Sequence, residues 1–121
     1  MSEFKRHNFK KLKIWQMEID LSKIVLDITD TFPISEKYGL KSQMDRCCIS
    51  MPSNIAEGSS RTDKSFSHFL DISLGSSFEL QTHIILANHR KHITIEQTNN
   101  IENKIEEFQK ATMSFQNTLN K

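Results

Sequence analysis

The chain has 121 residues, with 16 Lys+Arg against 15 Asp+Glu and a net charge of +1, a balance that does not in itself mark a nucleic-acid binder. Three Gly, two Pro and no strand-like alternation point to an all-α chain, read here as a single domain over 1–121. The charged opening "MSEFKRHNFKKLK" lacks the apolar stretch of a secretory signal, and no run approaches the ~18 apolar residues of a membrane span. The expectation is a soluble, cytoplasmic protein with no membrane partner. Its adjacent cysteines, Cys47 and Cys48, then stay reduced and serve as small core residues.

The first predicted helix covers about 9–31. At about 100° per residue, Ile14, Met17, Leu21, Ile24, Val25, Ile28 and Phe32 share one narrow face. Leu12, Trp15, Ile19 and Leu26 share another, almost opposite. A helix packed from one side needs a single stripe. The second stripe is therefore read as an oligomer interface, the alternative being a broad core contact with a neighbouring helix.

Pro33 disfavours helical geometry at Phe32, and Ser35 is the expected N-cap of a second helix over about 36–60. Its apolar stripe, Leu40, Met44, Cys47, Cys48, Met51 and Ile55, keeps its phase straight through Pro52. A loop would reset that phase. A proline inside a helix costs about 3 kcal/mol, yet kinked helices persist where neighbours satisfy the freed carbonyl. The spacing predicts one long helix bent near Pro52, with a break at Met51 as the alternative.

The third helix is predicted over about 62–91, with Thr62 as N-cap. Phe66, Phe69, Leu70, Ser73, Ser77, Leu80, Ile84 and Ala87 form its stripe, and Leu74, Phe78 and Ile85 widen it. Gly75, Ser76 and Ser77 are poor helix formers, which suggests that another backbone comes close there. Thr94 and Gln97 make a capping box opening the last helix, about 95–119, whose stripe is Ile101, Ile105, Phe108, Thr112, Phe115 and Leu119. Short connections make successive helices antiparallel neighbours, giving an up-down-up-down four-helix bundle.

A polar stripe, Gln43, Arg46, Ser50, Asn54, Glu57 and Arg61, runs beside the apolar one on the second helix. It reads as a hydrogen-bonded seam that fixes helix register, with Arg46 paired to Glu57 or to Glu79 of the next helix, or as an RNA- or ligand-contacting ladder. His89 and His92 share a helix face, but zinc needs three or four ligands and no Cys or carboxylate is spaced to complete that pair. Ser50 and Ser53 have no His to activate them, and the two "GSS" stretches lack the P-loop Lys. The expectation is no enzyme, no cofactor and no metal.

In an up-down-up-down bundle, Lys5, Arg6, Lys10, Lys11, Lys13, Arg61 and Lys64 gather at one end, opposed by Glu3, Glu57 and Asp63. A ring of subunits would multiply this positive field and attract phosphate backbones. A solvated charged end without a ligand is the alternative.

Four stretches, "LKIW" (12–15), "FPISEKYGLKSQMDR" (32–46), "SMPSNIAEGSSR" (50–61) and "FLDISLGSSFEL" (69–80), resemble the bacterial family of 23S rRNA intervening-sequence proteins, often labelled a ribosomal protein. That family is distantly similar to the accessory variability protein of diversity-generating retroelements. The resemblance implies a ring-like homopentamer of kinked four-helix bundles, without enzymatic activity, associated with RNA or another nucleic acid. An oligomeric scaffold that binds a protein partner is the alternative it leaves. The chain departs from the family pattern at Cys47-Cys48, where a small aliphatic pair is usual, and at Glu18, where Ala is usual. Its net charge is also modest beside the strongly basic retroelement relative.

Overall fold

The computed structural model describes residues 7–120 and arranges them as α1 (Lys13–Thr29), α2 (Leu40–Ser59), α3 (Asp63–His89) and α4 (Ile95–Leu119). Two short 3-10 turns, Phe9–Lys11 and Ile34–Glu36, precede α1 and α2, and there is no strand among the described residues. Each of α1 and α3 packs on both α2 and α4, while α1 and α3 do not touch. They are therefore the diagonal pair of a four-helix bundle. The core is one cluster, built around Leu21, Val25, Met44, Met51, Ile55, Phe66, Leu70, Leu80, Ile84, Ile101, Ile105 and Phe108.

Local chemistry sets the ends. Thr62 caps α3, its hydroxyl accepting from the Ser65 N–H at 3.3 Å. Thr94 and Gln97 form the reciprocal capping box of α4, at 3.0 and 2.8 Å. The chain leaves α3 through Lys91, whose φ of 62° lets the His92 N–H reach the Ala87 carbonyl at 3.0 Å.

The second helix starts later than its pattern suggests, at Leu40, and Ser35 does not cap it. Glu36 takes that role. Its Oε1 lies 3.4 Å from the Leu40 N–H, while Oε2 meets His92 Nε2 at 2.8 Å and Arg90 Nε at 3.0 Å. A side chain at Gly39 would stand 2.8 Å from Glu36 Oε1, so glycine keeps this inward turn of the carboxylate open. The first helix likewise starts at Lys13, behind an extended Leu12, and not at 9.

Through Pro52 the α-helix is unbroken. Proline has no N–H to give the Cys48 carbonyl, and the Ser22 hydroxyl of α1 donates to it instead, at 2.8 Å in a buried setting. From the other flank, Ser73 of α3 donates to the Met51 carbonyl at 2.9 Å. A stranded buried carbonyl would cost about 1–3 kcal/mol, so these serines hold the helix through its weakest point.

The buried face of α1 takes Ile14, Leu21 and Val25 from the first apolar stripe and extends beyond it through Glu18, Ser22 and Thr29, toward the second. Ser22 and Thr29 bond across to α2, Thr29 Oγ1 donating to Asp45 Oδ1 at 2.6 Å. Met17, Ile24 and Ile28 are half-buried on one flank. Leu12, Trp15, Ile19 and Leu26 are half-buried on the other.

On α3, Phe78 and Ile85 do not widen the core stripe: both face outward, 52% and 55% exposed. Nor does a backbone approach Gly75, where an added Cβ would meet nothing within 4 Å. The close approach is at Gly58, whose Cβ would lie 2.7 Å from Phe69 Cβ and 2.8 Å from Phe66 Cδ1. The small residues of mid-α3 serve hydrogen bonding instead: Ser77 accepts from Gln109 Nε2 at 3.0 Å, and Ser76 meets Ser50 at 3.1 Å.

Candidate functional site

At the end of the bundle where the chain begins, the His7 N–H donates to the Ser59 carbonyl at 3.2 Å and the His7 ring lies 3.5 Å from Asp63 Oδ1. These contacts draw the segment before α1 against the α2–α3 junction. They bring Lys10, Lys11 and Lys13 to the same end as Arg61 and Lys64, and all five are exposed. Lys5 and Arg6 lie outside the described residues. Arg61 is held by Glu57 at 3.0 Å and sits 5.1 Å from the Phe69 ring centroid. Lys11, Lys13 and Lys64 make no ion pair among the described residues, so their charge faces solvent.

At the opposite end several charges are paired. Asp30 and Asp45 both bind Lys41, at 3.2 and 2.9 Å. Glu36 is held below the usual carboxylate range, chiefly by the His92 hydrogen bond, against the opposing effect of burial and with help from the Leu40 N–H and Arg90. His92 is thus committed to Glu36, and His89 is exposed at the helix end.

The polar stripe of α2 is a seam only in its middle. Ser50 meets Ser76 across the helices, and Asn54 Nδ2 donates to the Ser50 carbonyl at 2.8 Å and its Oγ at 3.0 Å. Gln43, Arg46, Glu57 and Glu79 are exposed. The ion pair expected for Arg46 is not formed with any carboxylate among the described residues, because Glu57 faces Arg61 and Glu79 lies beside the Cys47 thiol. The register contribution therefore rests on Ser50 and Asn54.

Two features escaped the sequence pattern. Glu18 is fully buried, with neither carboxyl oxygen hydrogen-bonded, and burial pushes its pKa well up. The second is a cluster on α2 and α3: Cys47 Sγ, a Glu79 carboxylate oxygen and a His83 ring nitrogen lie within 4.8 Å of one another. Burial, then Glu79, pushes the Cys47 thiol up to about 12. The i,i+4 spacing of Glu79 and His83 was the available signal. It went unread because Cys47 matched the core stripe.

A family model described as 23S rRNA-intervening sequence protein matches residues 10–114. Among solved structures, the chain is similar to a protein of unknown function from the S23 ribosomal protein family of Bacteroides thetaiotaomicron. The two share 21% identity at a TM-score of 0.79, over 86% of this chain and 95% of that one. At that identity the likeness supports the fold alone. No functionally curated protein matches. No helix among the described residues is long and apolar enough to cross a membrane. With its residues 10–114 matching the family model, the chain belongs to the 23S rRNA-intervening sequence protein family.

Proposed function

We propose that this chain is a non-enzymatic, cytoplasmic subunit of a homo-oligomeric ring that associates with RNA through its basic end. The observation that carries the reading is the gathering of Lys11, Lys13 and Lys64, exposed and without carboxylate partners, beside Lys10 and Arg61. Unpaired lysines on one surface attract a phosphate backbone without needing a base-reading motif. The family's description names the intervening sequence of 23S rRNA, which agrees with an RNA ligand.

The ring supports this reading by placing several such ends side by side. Half-buried Trp15, Ile19 and Leu26 lie on α1, while exposed Phe78, Ile85 and Leu86 lie on the diagonal helix α3. Two different apolar faces on opposite corners suit a heterologous contact, which closes into a ring when the rotation allows. Five subunits follow from the family resemblance, and a bend of α2 follows from the proline inside its unbroken stripe as well as from that resemblance.

Charge reversal tests the RNA contact. Lys10→Glu, Lys11→Glu and Lys64→Glu together should sharply weaken the binding of a labelled hairpin RNA, read by anisotropy. Reversal of Lys37 and Lys91 should leave it intact. Equal binding by both variants would retire the basic end as the contact. A protein-partner scaffold is the second reading, favoured by Ile34 and Tyr38, which stand 89% and 87% exposed at the α1–α2 turn. That reading gains if the wild type ignores RNA at low salt.

A further inference from the structure

The outer side of the α2–α3 seam carries a cleft of about 160 Å³ lined by Gln43, Arg46, Cys47, Ser50, Ser76 and Glu79. Cys47 points to it from α2. Glu79 and His83 approach from α3, one turn apart on a single face. Cys47 Sγ and His83 Nδ1 are 4.0 Å apart. The three ligand atoms, one each from a thiol, a carboxylate and an imidazole, all fall within 4.8 Å of one another.

We propose that Cys47, Glu79 and His83 form a binding site for one zinc-class divalent cation per chain, with the fourth coordination position facing the cleft. Tetrahedral zinc, at roughly 2.0–2.3 Å from its N, O and S ligands, sets neighbouring donors about 3.4–3.6 Å apart. The observed spacing is within an ångström or so of that. Side-chain adjustment of Glu79, which is exposed, and His83, which is half-buried, would close it. Thiolate with imidazole selects zinc, cobalt or copper over magnesium or calcium, which prefer all-oxygen shells.

The charge balance also suits the ion. On binding, the Cys47 S–H proton leaves to solvent as the metal–sulfur bond forms, and thiolate and carboxylate together neutralise a divalent cation. Arg46, which lines the same cleft without a carboxylate partner, then faces a site of zero net charge. With three protein ligands, a water from the cleft would complete the tetrahedron, in contrast to the closed four-ligand pattern of structural sites.

Cobalt(II) titration of the reduced full-length chain, in metal-free buffer, tests the site. One equivalent per chain should give a thiolate-to-cobalt charge-transfer band in the near ultraviolet together with strong tetrahedral visible bands, and zinc should displace both. Cys47→Ser should remove the charge-transfer band, and Cys48→Ala should keep it. Glu79→Gln and His83→Gln, at positions outside the core, should each weaken binding at least tenfold while circular dichroism shows the helices intact. Absence of the band in the wild type overturns the proposal. So does a band that survives Cys47→Ser or vanishes with Cys48→Ala, or wild-type affinity in both Glu79→Gln and His83→Gln.

Discussion

Replacing Glu18 with Met should stabilise this protein, and the gain should grow with pH. Glu18 is enclosed on α1, with neither carboxyl oxygen bonded to anything. Even protonated, a buried polar group without a partner costs about 1–3 kcal/mol. Ionisation adds a second cost. Burial raises the folded-state pKa, so the contribution of Glu18 is least unfavourable below the ordinary glutamate value of about 4.3. As pH rises from there toward the folded-state value, the unfolded chain ionises while the folded chain keeps its proton. Stability then falls by about 1.4 kcal/mol per pH unit. Met has nearly the volume of Glu and no charge, so Glu18→Met should gain about 1–3 kcal/mol near pH 4.5 and more at pH 7. For a domain of this size a gain of about 1–3 kcal/mol corresponds to roughly 3–15 °C in Tm. Urea denaturation at several pH values and one fixed protein concentration reads the difference directly. A Glu18→Met variant no more stable than wild type at pH 7, or a difference that does not change with pH, would refute the reasoning.

Other perturbations follow from the same packing. Trp15→Asp with Ile19→Asp should reduce the proposed ring to monomers by light scattering while far-ultraviolet circular dichroism keeps its helical signal. A wild type that is monomeric at micromolar concentration would contradict this. Ser22→Ala strands the Cys48 carbonyl beside Pro52 and should cost about 1–3 kcal/mol in urea unfolding. A change under about 0.5 kcal/mol would mean that the bond does not sustain α2 there. Gly58→Ala sets a Cβ 2.7 Å from Phe69 Cβ, a backbone-proximal atom that cannot rotate away, and should cost about 1–3 kcal/mol. A neutral result would show the α2–α3 contact to be compliant.

Helix periodicity carried the four elements because each long helix presents apolar residues to one shared core. On α1 the same logic found Ile14, Leu21 and Val25 but missed Glu18, Ser22 and Thr29, polar residues that share the buried face and that a hydrophobic pattern discards. Ser22 and Thr29 are inside because α2 offers them a carbonyl and a carboxylate, and those partners are known only once the helices are docked. Pro52 was read correctly as lying within a helix, from the unbroken phase of Met44, Cys48, Met51 and Ile55, although the hydroxyl that satisfies Cys48 comes from 26 residues earlier. The start of α2 slipped from 36 to Leu40 because Glu36 found Arg90 and His92 at the far end of α3. Local capping preference could not weigh that tertiary ion pair against Ser35. At the candidate sites, the basic end was legible because topology alone collects Lys10, Lys11 and Lys64. Cys47, Glu79 and His83 were not, since their proximity depends on the axial register of α2 against α3.

The salt dependence of RNA binding is the most direct test of the central claim. Affinity of the wild-type protein for a labelled hairpin RNA, measured across a series of potassium chloride concentrations, reports the number of phosphates neutralised. If Lys10, Lys11, Lys13, Arg61 and Lys64 form the contact, log K should fall linearly with log salt at a slope of roughly −3 or steeper. The triple Glu variant of Lys10, Lys11 and Lys64 should flatten that line. No measurable binding at low salt, or a slope near zero, would contradict the account.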